Sequence, residues 1–359
     1  MSSSAAASRE RLILREVVES YILSGEAVGS KAIAARLKNR LSSASIRNVM
    51  SDLCEQGLLE KPHTSAGRVP TDRGYRNYLD QLVRPLRALP LVEPASTVDA
   101  VAWNEGTSSE DVLRAAVRLL GTELGAATVA LTPRLETAIL SKLEFVWLRA
   151  GRLLAIAITR GGIVHERLLH VDADIRREDL EALSNYLNSL LPGRTLDDVR
   201  AVIEAEQERD RNAHGELERR ALDLGRRAFG GAGAGSDDGA VVIDGAARIL
   251  ETKEFAAAPE KAAELLRAIE QRALWLDVLR TALEADDTEV YVGHELGTPA
   301  LEPCGVVASR YQLGGGAGLI VVVGPKRLDY RRAIPLVGRV AEQLSRVLRA
   351  AEGDEELGA

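Results

Sequence analysis

A short amphipathic helix that stops at a glycine and runs into a Pro/Gly-rich excursion leaves this chain few folds. The stretch is residues 42–78, SSASIRNVMSDLCEQGLLEKPHTSAGRVPTDRGYRNY. Ile46, Val49, Met50 and Leu53 recur at i, i+3, i+4 and i+7, which makes one apolar helical face. Ser42 or Ser43 can cap the free N–H groups at the start. Gly57 suits the left-handed residue that ends a helix. The opposite face carries Ser45, Arg47, Asn48 and Ser51, short or forked hydrogen-bonding groups near the helix N-terminus. A recognition helix uses that end to reach base edges in the major groove, where Arg can pair guanine and Asn can pair adenine. The alternative is a solvated face on an ordinary helix.

The segment after Gly57 favours the first reading. Leu58-Leu59-Glu60 reads as a short strand, and residues 61–71 read as a tight excursion stiffened by Pro62 and Pro70. Gly67 permits an unusual backbone angle beside Arg68, which is expected at the tip. An Arg there can lie on phosphates or enter the minor groove. His63, Thr64 and Ser65 add phosphate-capable donors, although a solvated loop histidine is the commoner fate of a residue such as His63.

Upstream, RERLILREVVESYILS (9–24) is amphipathic, with Leu14, Val17, Val18, Tyr21 and Ile22 inward. A second helix is expected near 31–37, followed by a loop at 38–42. After the excursion, Thr71-Asp72 opens a fourth helix carrying Tyr75, Tyr78, Leu79 and Leu82. The order is helix, helix, turn, helix, wing. Lys31, Arg73 and Arg76 are candidate phosphate contacts, the alternative being surface solubility.

These residues resemble a known family. Residues 9–80 look like the winged-helix domain of the heat-inducible transcription repressor HrcA. The matching pieces are GEAVGSKAIAARL (25–37), SIRNVMSDLCEQGLLEKPHTSAGRVPTDRGYRNYLD (45–80) and GPKRLDYRRAIPLVGRVAEQLS (324–345). The resemblance spans nearly the whole chain and is weak in the middle. Where Ser43 stands the family usually has Pro, and where Val49 stands it has Asp. Individual base contacts are therefore not carried over.

Charge is divided unevenly. Residues 1–87 hold 14 Lys+Arg against 9 Asp+Glu, and the remainder 32 against 44, within a net charge of −7. A moderately basic head on an acidic body fits nucleic-acid binding by the head alone. The excess is small, so two heads on one site are expected for useful occupancy. No apolar run approaches the ~18 residues that span a bilayer, so no membrane partner is expected. The start, MSSSAAAS, lacks the apolar core of a secretory signal. Cys54 and Cys304 lie far apart with no CxxC, which fits a reducing cytoplasm.

The 359 residues suggest two or three domains. Residues 84–108, with Pro85, Pro90 and Pro94, read as a linker, and Trp103 is expected to pack on a neighbouring domain. A helix follows at 109–121. Strands are expected at 127–133, three more within 140–171, and another three at 288–296, 304–313 and 318–325. Helices are expected at 177–191 and 329–350. Repeated hairpins indicate an antiparallel sheet. Between the halves lies a helix-rich block, 193–283, with a small-residue loop at 230–239, a short strand at 241–244 and a helix at 259–283.

The expected fold is therefore α+β. It comprises a winged helix-turn-helix at 1–83, a linker at 84–108, a GAF-like domain in two segments (109–192 and 284–352), and an insertion at 193–283. In the family this resembles, the insertion makes the dimer interface; composition alone allows a plain lid or spacer.

Signs of catalysis are few. His165-Glu166 and His170 form HExxxH, one residue longer than the zinc pattern HExxH, in a strand-like segment where a spacing of five separates the faces. There is no GxSxG elbow and no Walker lysine loop. The Gly314–Gly316 run precedes a strand, whereas a dinucleotide loop follows one. Val290, Val292, Val306 and Ile320 are candidate walls of a ligand pocket, or simply core. No catalytic residue, cofactor or metal is expected.

The reading is a dimeric DNA-binding repressor with contacts from Lys31, Ser43, Ser45, Arg47, Asn48, Ser51, His63, Thr64, Ser65, Arg68 and Arg73. The resemblance implies an inverted-repeat operator upstream of chaperone operons, release on heat shock, and dependence on the chaperonin. Two alternatives are a repressor gated by a small metabolite, and a metal hydrolase at His165 and His170.

Overall fold

The computed structural model describes residues 2–62, 67–88, 108–133, 138–149, 151–171, 177–209, 216–229 and 241–357. His63, Thr64, Ser65, Trp103, most of the expected linker and the loop at 230–239 lie outside them. The chain is an α+β protein.

The N-terminal region runs α1 (Ser2–Ser24), α2 (Ser30–Arg36), α3 (Ser43–Glu55), β1 (Leu59–Glu60), β2 (Val69–Pro70) and α4 (Asp72–Ala88). Of the two candidate caps, Ser42 caps α3: its hydroxyl accepts from the Ser45 N–H at 3.1 Å. Gly57 ends the helix at φ +70°, with Gly57 N–H on the Cys54 carbonyl and Leu58 N–H on that of Leu53. This double closure satisfies two carbonyls that a helix end otherwise leaves open. Ile46, Met50 and Leu53 are buried, as their spacing requires.

β1 and β2 pair antiparallel, Leu59 opposite Pro70 and Glu60 opposite Val69. Val28 and Arg68 exchange both backbone hydrogen bonds at 2.9 Å, which extends the hairpin toward the segment before α2. Thr71 caps α4 by accepting from the Gly74 N–H at 3.1 Å. Gly74 has to be glycine, since a Cβ there would lie 2.0 Å from the Leu58 carbonyl oxygen.

The body continues with α5 (Ser109–Leu124), β3 (Ala127–Leu131), β4 (Leu140–Arg149), β5 (Arg152–Thr159), β6 (Val164–His170), α6 (Leu180–Ser189), α7 (Leu196–Arg209) and α8 (Glu216–Phe229). Next come β7 (Val241–Asp244), α9 (Ala246–Leu250), α10 (Lys253–Ala256), α11 (Pro259–Glu270), α12 (Arg272–Val278) and α13 (Arg280–Glu284). The chain closes with β8 (Glu289–Val292), β9 (Cys304–Leu313), β10 (Gly316–Pro325) and α14 (Tyr330–Leu357).

Two body sheets form where one interrupted sheet was expected. The larger is five-stranded and antiparallel, in the order β7-β3-β10-β9-β8. Its strands are buried on both faces, so β10 reads as a continuous apolar run. Ile320 and Val322 face α5, α14 and the N-terminal helices. Leu319, Val321 and Val323 face the α9–α13 side. The smaller sheet is β4-β5-β6, covered on one face by α6, α7 and α8. The Asn188 side chain on α6 bonds both the N–H and the carbonyl of Leu143, at 2.7 and 2.8 Å, and so satisfies part of the β4 edge.

The expected boundary at 192/193 thus falls inside a packed unit. β7, from within the expected insertion, pairs with β3, while β4–β6 leave the main sheet. Alternation within a strand reports which face is buried and is silent on which strand lies beside it. The helix expected at 259–283 is broken into α11, α12 and α13. Val290, Val292 and Ile320 belong to one side of the large sheet and Val306 to the other, so these four line no common pocket.

Candidate nucleic-acid interface

The polar face of α3 is presented to solvent. Ser45, Arg47, Asn48 and Ser51 are exposed, and among the described residues Arg47 has no ion pair. The face is divided along its length. These groups run from Ser45 in the first turn to Ser51, while Asp52 and Glu55 beyond them are exposed acids that would repel phosphate.

Ser43 differs from its neighbours. It is half-buried, and its hydroxyl is 2.9 Å from that of buried Ser30 on α2. This bond sets the starts of α2 and α3 side by side. It also carries exposed Lys31, one residue on, to the N-terminal edge of α3. Ser45 shares its hydroxyl with Ser42 at 2.9 Å.

Arg68 is not at a tip. It sits at the base of the excursion, held by its backbone to Val28, with its Nε buried. A strand pairing that reaches back to Val28 could not be read from the local pattern of prolines and glycines. Arg73 is exposed in the first turn of α4, and its guanidinium lies over Gly57. It therefore stands at the far end of α3 from Lys31, beside the β1–β2 base.

Arg76 is withdrawn from any phosphate role. Its Nε donates to Glu295 Oε1 at 2.6 Å, its Nη2 bonds the second Glu295 oxygen, and the same nitrogen reaches the Val290 carbonyl at 2.7 Å. Asp72 is similarly engaged with the body. Its carboxylate accepts from Lys326 and from the His294 N–H at 3.0 Å, and the His294 ring lies 3.1 Å away. Burial alone would raise this carboxyl, but the bonds from Lys326 and His294 outweigh it and hold the group below its ordinary value. Tyr75 meets Tyr330 edge-to-face at 6.4 Å. The D-x-G-Y-R half of the motif thus faces the body of the protein. Local sequence could not show this, because the partners lie more than 200 residues away.

His165 and His170 lie on opposite faces of β6, so they cannot share a metal. Among the described residues no cluster of ligating side chains could hold a metal ion, and no helix is long and apolar enough to cross a membrane.

Residues 110–334 match the family model described as the HrcA protein C-terminal domain. The heat-inducible transcription repressor HrcA of Geobacter sulfurreducens is 36% identical over 342 residues, covering 95% of this chain and 97% of that protein. The repressor of the same name from Sorangium cellulosum is 36% identical, covering 94% and 97%. A crystal structure described only as that of a hypothetical protein superposes with a TM-score of 0.63 at 22% identity, covering 96% of this chain and 98% of that one. This chain belongs to the family of heat-inducible transcription repressors HrcA.

Proposed function

We propose that this chain represses heat-shock operons by gripping an inverted-repeat operator as a dimer. The observation that carries the reading is the exposed Ser45-Arg47-Asn48-Ser51 face of α3, with Lys31 beside its N-terminal end. Helices α1–α3 and the β1–β2 hairpin form a winged helix, and α3 enters the major groove by its first turns. Lys31 and Arg73, at opposite ends of α3, take phosphates on either side. His63, Thr64, Ser65 and Arg68 belong to the wing and its base. The five-stranded sheet with its helices is the GAF-like body, 109–133 and 241–352. The layer at 138–229 is the insertion.

Pairing of two copies uses the uncovered face of that layer. Val146, Leu148, Val164 and Leu168 are 40%, 51%, 53% and 45% exposed, and all lie on the outer face of β4-β5-β6. Val146, Leu154 and Leu168 stand in one row across the sheet. An apolar sheet face of this kind marks an interaction surface, and two-fold pairing is the commonest way to cover it.

Heat would act through the core that head and body share. One hydrophobic cluster runs from α1, α3 and α4 into β8, β9, β10 and α14. A loss of about 1–2 kcal/mol removes a large share of a marginally stable assembly. Chaperonin would restore the folded repressor, and residence with its operator places it in the cytoplasm. The test is a mobility-shift assay on the chain's own upstream DNA, below and above the induction temperature, with and without chaperonin. A retarded dimer complex that weakens on heating and recovers with chaperonin is expected. Absence of any sequence-selective complex would overturn the reading.

A further inference from the structure

Four cations in the run KRLDYRR, residues 326–332, each hold a different element. Lys326 pairs with Asp72 on α4, Arg327 with Glu254 on α10 at 2.5 Å, Arg331 with Glu19 on α1 at 3.3 Å, and Arg332 with Glu123 on α5 at 2.5 Å. Two of these reach the head and two stay within the body. A third head contact comes from the other side, where Arg76 spans Glu295 and the Val290 carbonyl. The charged attachments of the head are therefore at Asp72, Arg76 and Glu19, beside the apolar cluster that head and body share. The body partners of the first two lie where β8 ends and where β10 turns into α14.

Contacts on two helices, Asp72 and Arg76 on α4 and Glu19 on α1, resist turning of the head as well as its displacement. The contacts are also built closely. Gly293 sits at φ +60°, and a Cβ there would fall 2.0 Å from Asp72 Oδ2, so only glycine lets the His294 N–H reach that carboxylate. Glu295 additionally accepts from the Val292 N–H at 2.9 Å, which holds its carboxylate from both sides. Side-chain exposure is 33% for Arg76 and 22% for Glu295, so salt screens this pair less than an open one. Tyr330, which receives Tyr75, is fully buried and donates its hydroxyl to the Lys326 carbonyl at 2.9 Å.

We infer that Asp72, Arg76, Glu295 and Lys326 are positioning residues that set which half-site spacing the dimer accepts. The inference rests on the reading above, in which two heads share one inverted repeat. Each added base pair moves a half-site by about 3.4 Å and turns it by about 35°. A head locked in orientation follows neither change, whereas a head left to turn on the shared apolar contact follows both. The lock contributes nothing to contact with a single half-site, because none of the four residues lies on the polar face of α3.

The experiment is fluorescence anisotropy with a series of operators whose spacer changes in single base pairs over one helical turn, beside a duplex carrying one half-site. Wild type is compared with Arg76→Gln and with the double variant Arg76→Gln/Glu295→Gln. The double variant leaves neither charge unpaired and so protects the fold if the single variant is unstable. Wild-type affinity should fall by roughly tenfold or more within two base pairs of the best spacer, while the variants should stay within about threefold across the series. Half-site binding should be the same in all three. Variants that keep the wild-type spacer profile overturn the inference. So does a flat wild-type profile with intact half-site binding. Loss of half-site binding in wild type would instead sink the underlying reading of the head.

Discussion

The hydroxyls of Ser30 and Ser43 meet at 2.9 Å across the start of α2 and the start of α3, with Ser30 only 8% exposed. Ser43 is therefore a spacer between two helix ends more than a reader of bases. Ser43→Ala leaves the Ser30 hydroxyl without this partner and should cost about 1 kcal/mol in urea unfolding, with operator sequence preference unchanged. Ser43→Pro tests the family's usual residue at this position. Proline fits the first helical position, where φ is preset and no N–H is needed. Its stability should lie between the alanine variant and wild type.

Arg47 and Lys31 should separate in their effects. Arg47→Ala should weaken operator binding by about 1–3 kcal/mol and relax preference at one base position, because Arg reads base edges. Lys31→Ala and Arg73→Ala should weaken cognate and scrambled duplexes alike, and each should lower the slope of log affinity against log salt by about one. Anisotropy titrations at three salt concentrations distinguish the two patterns. Equal loss on both duplexes for Arg47→Ala would remove it from base readout.

How much of this was legible beforehand depends on the range of each interaction. The helix at 43–55 was readable because its cap, its apolar spacing and its terminating glycine all lie within fifteen residues of one another. The exposed quartet Ser45, Arg47, Asn48 and Ser51 followed from that period. Arg68 and Arg76 were misplaced for the opposite reason. Their partners, Val28 and Glu295, come from other elements, and a local pattern of Pro and Gly cannot name them. The same limit hid the split of the body strands into two sheets. The VVID strand at 241–244 was recognised from its composition, but its place beside β3 is a fact of pairing. The run at 324–345 carries part of the family resemblance. Its physical content, a row of cations each answering a distant acid, shows only once the chain is folded.

The acid limb of stability should bear the mark of Asp72. Its folded-state pKa lies below the unfolded value because Lys326 and His294 favour the carboxylate more than burial disfavours it. A depressed carboxyl contributes stability that is present above the unfolded value and is lost as pH falls through the folded one. The free-energy gap between wild type and Asp72→Asn should therefore be constant near neutrality and shrink below about pH 4. Chemical unfolding at a series of pH values measures it. A gap independent of pH down to acid unfolding would show that the Lys326 pairing adds nothing to stability.

The two thiols should react differently. Burial pushes the Cys304 thiol up to about 12, and the residue, the first of β9, is fully buried on the α9–α13 side of the large sheet. Thiolate is the reacting species, so a group this far from ionising is inert near neutral pH. Cys54 on α3 is half-exposed. A colorimetric thiol reagent should count one group per chain in the native protein and two after denaturation. The native reaction should vanish in Cys54→Ser. Fast reaction of both thiols in the native state would mean that the five-stranded sheet opens on the assay timescale.

The outer face of β4-β5-β6 makes the sharpest demand on assembly. Leu168 lies in one row with Leu154 and Val146, and the residue is 45% exposed. The opposite face of the same sheet packs on α6–α8, so a charge on the outer face should leave the layer folded. Leu168→Asp would bring two like charges close together across a two-fold interface and would strand apolar neighbours in water. Sedimentation should show the variant as a monomer where wild type is a dimer, with far-ultraviolet dichroism unchanged. Operator affinity should then fall to that of a single head, because the second contact is no longer intramolecular. A dimeric Leu168→Asp with full operator affinity would place the subunit contact elsewhere on the molecule.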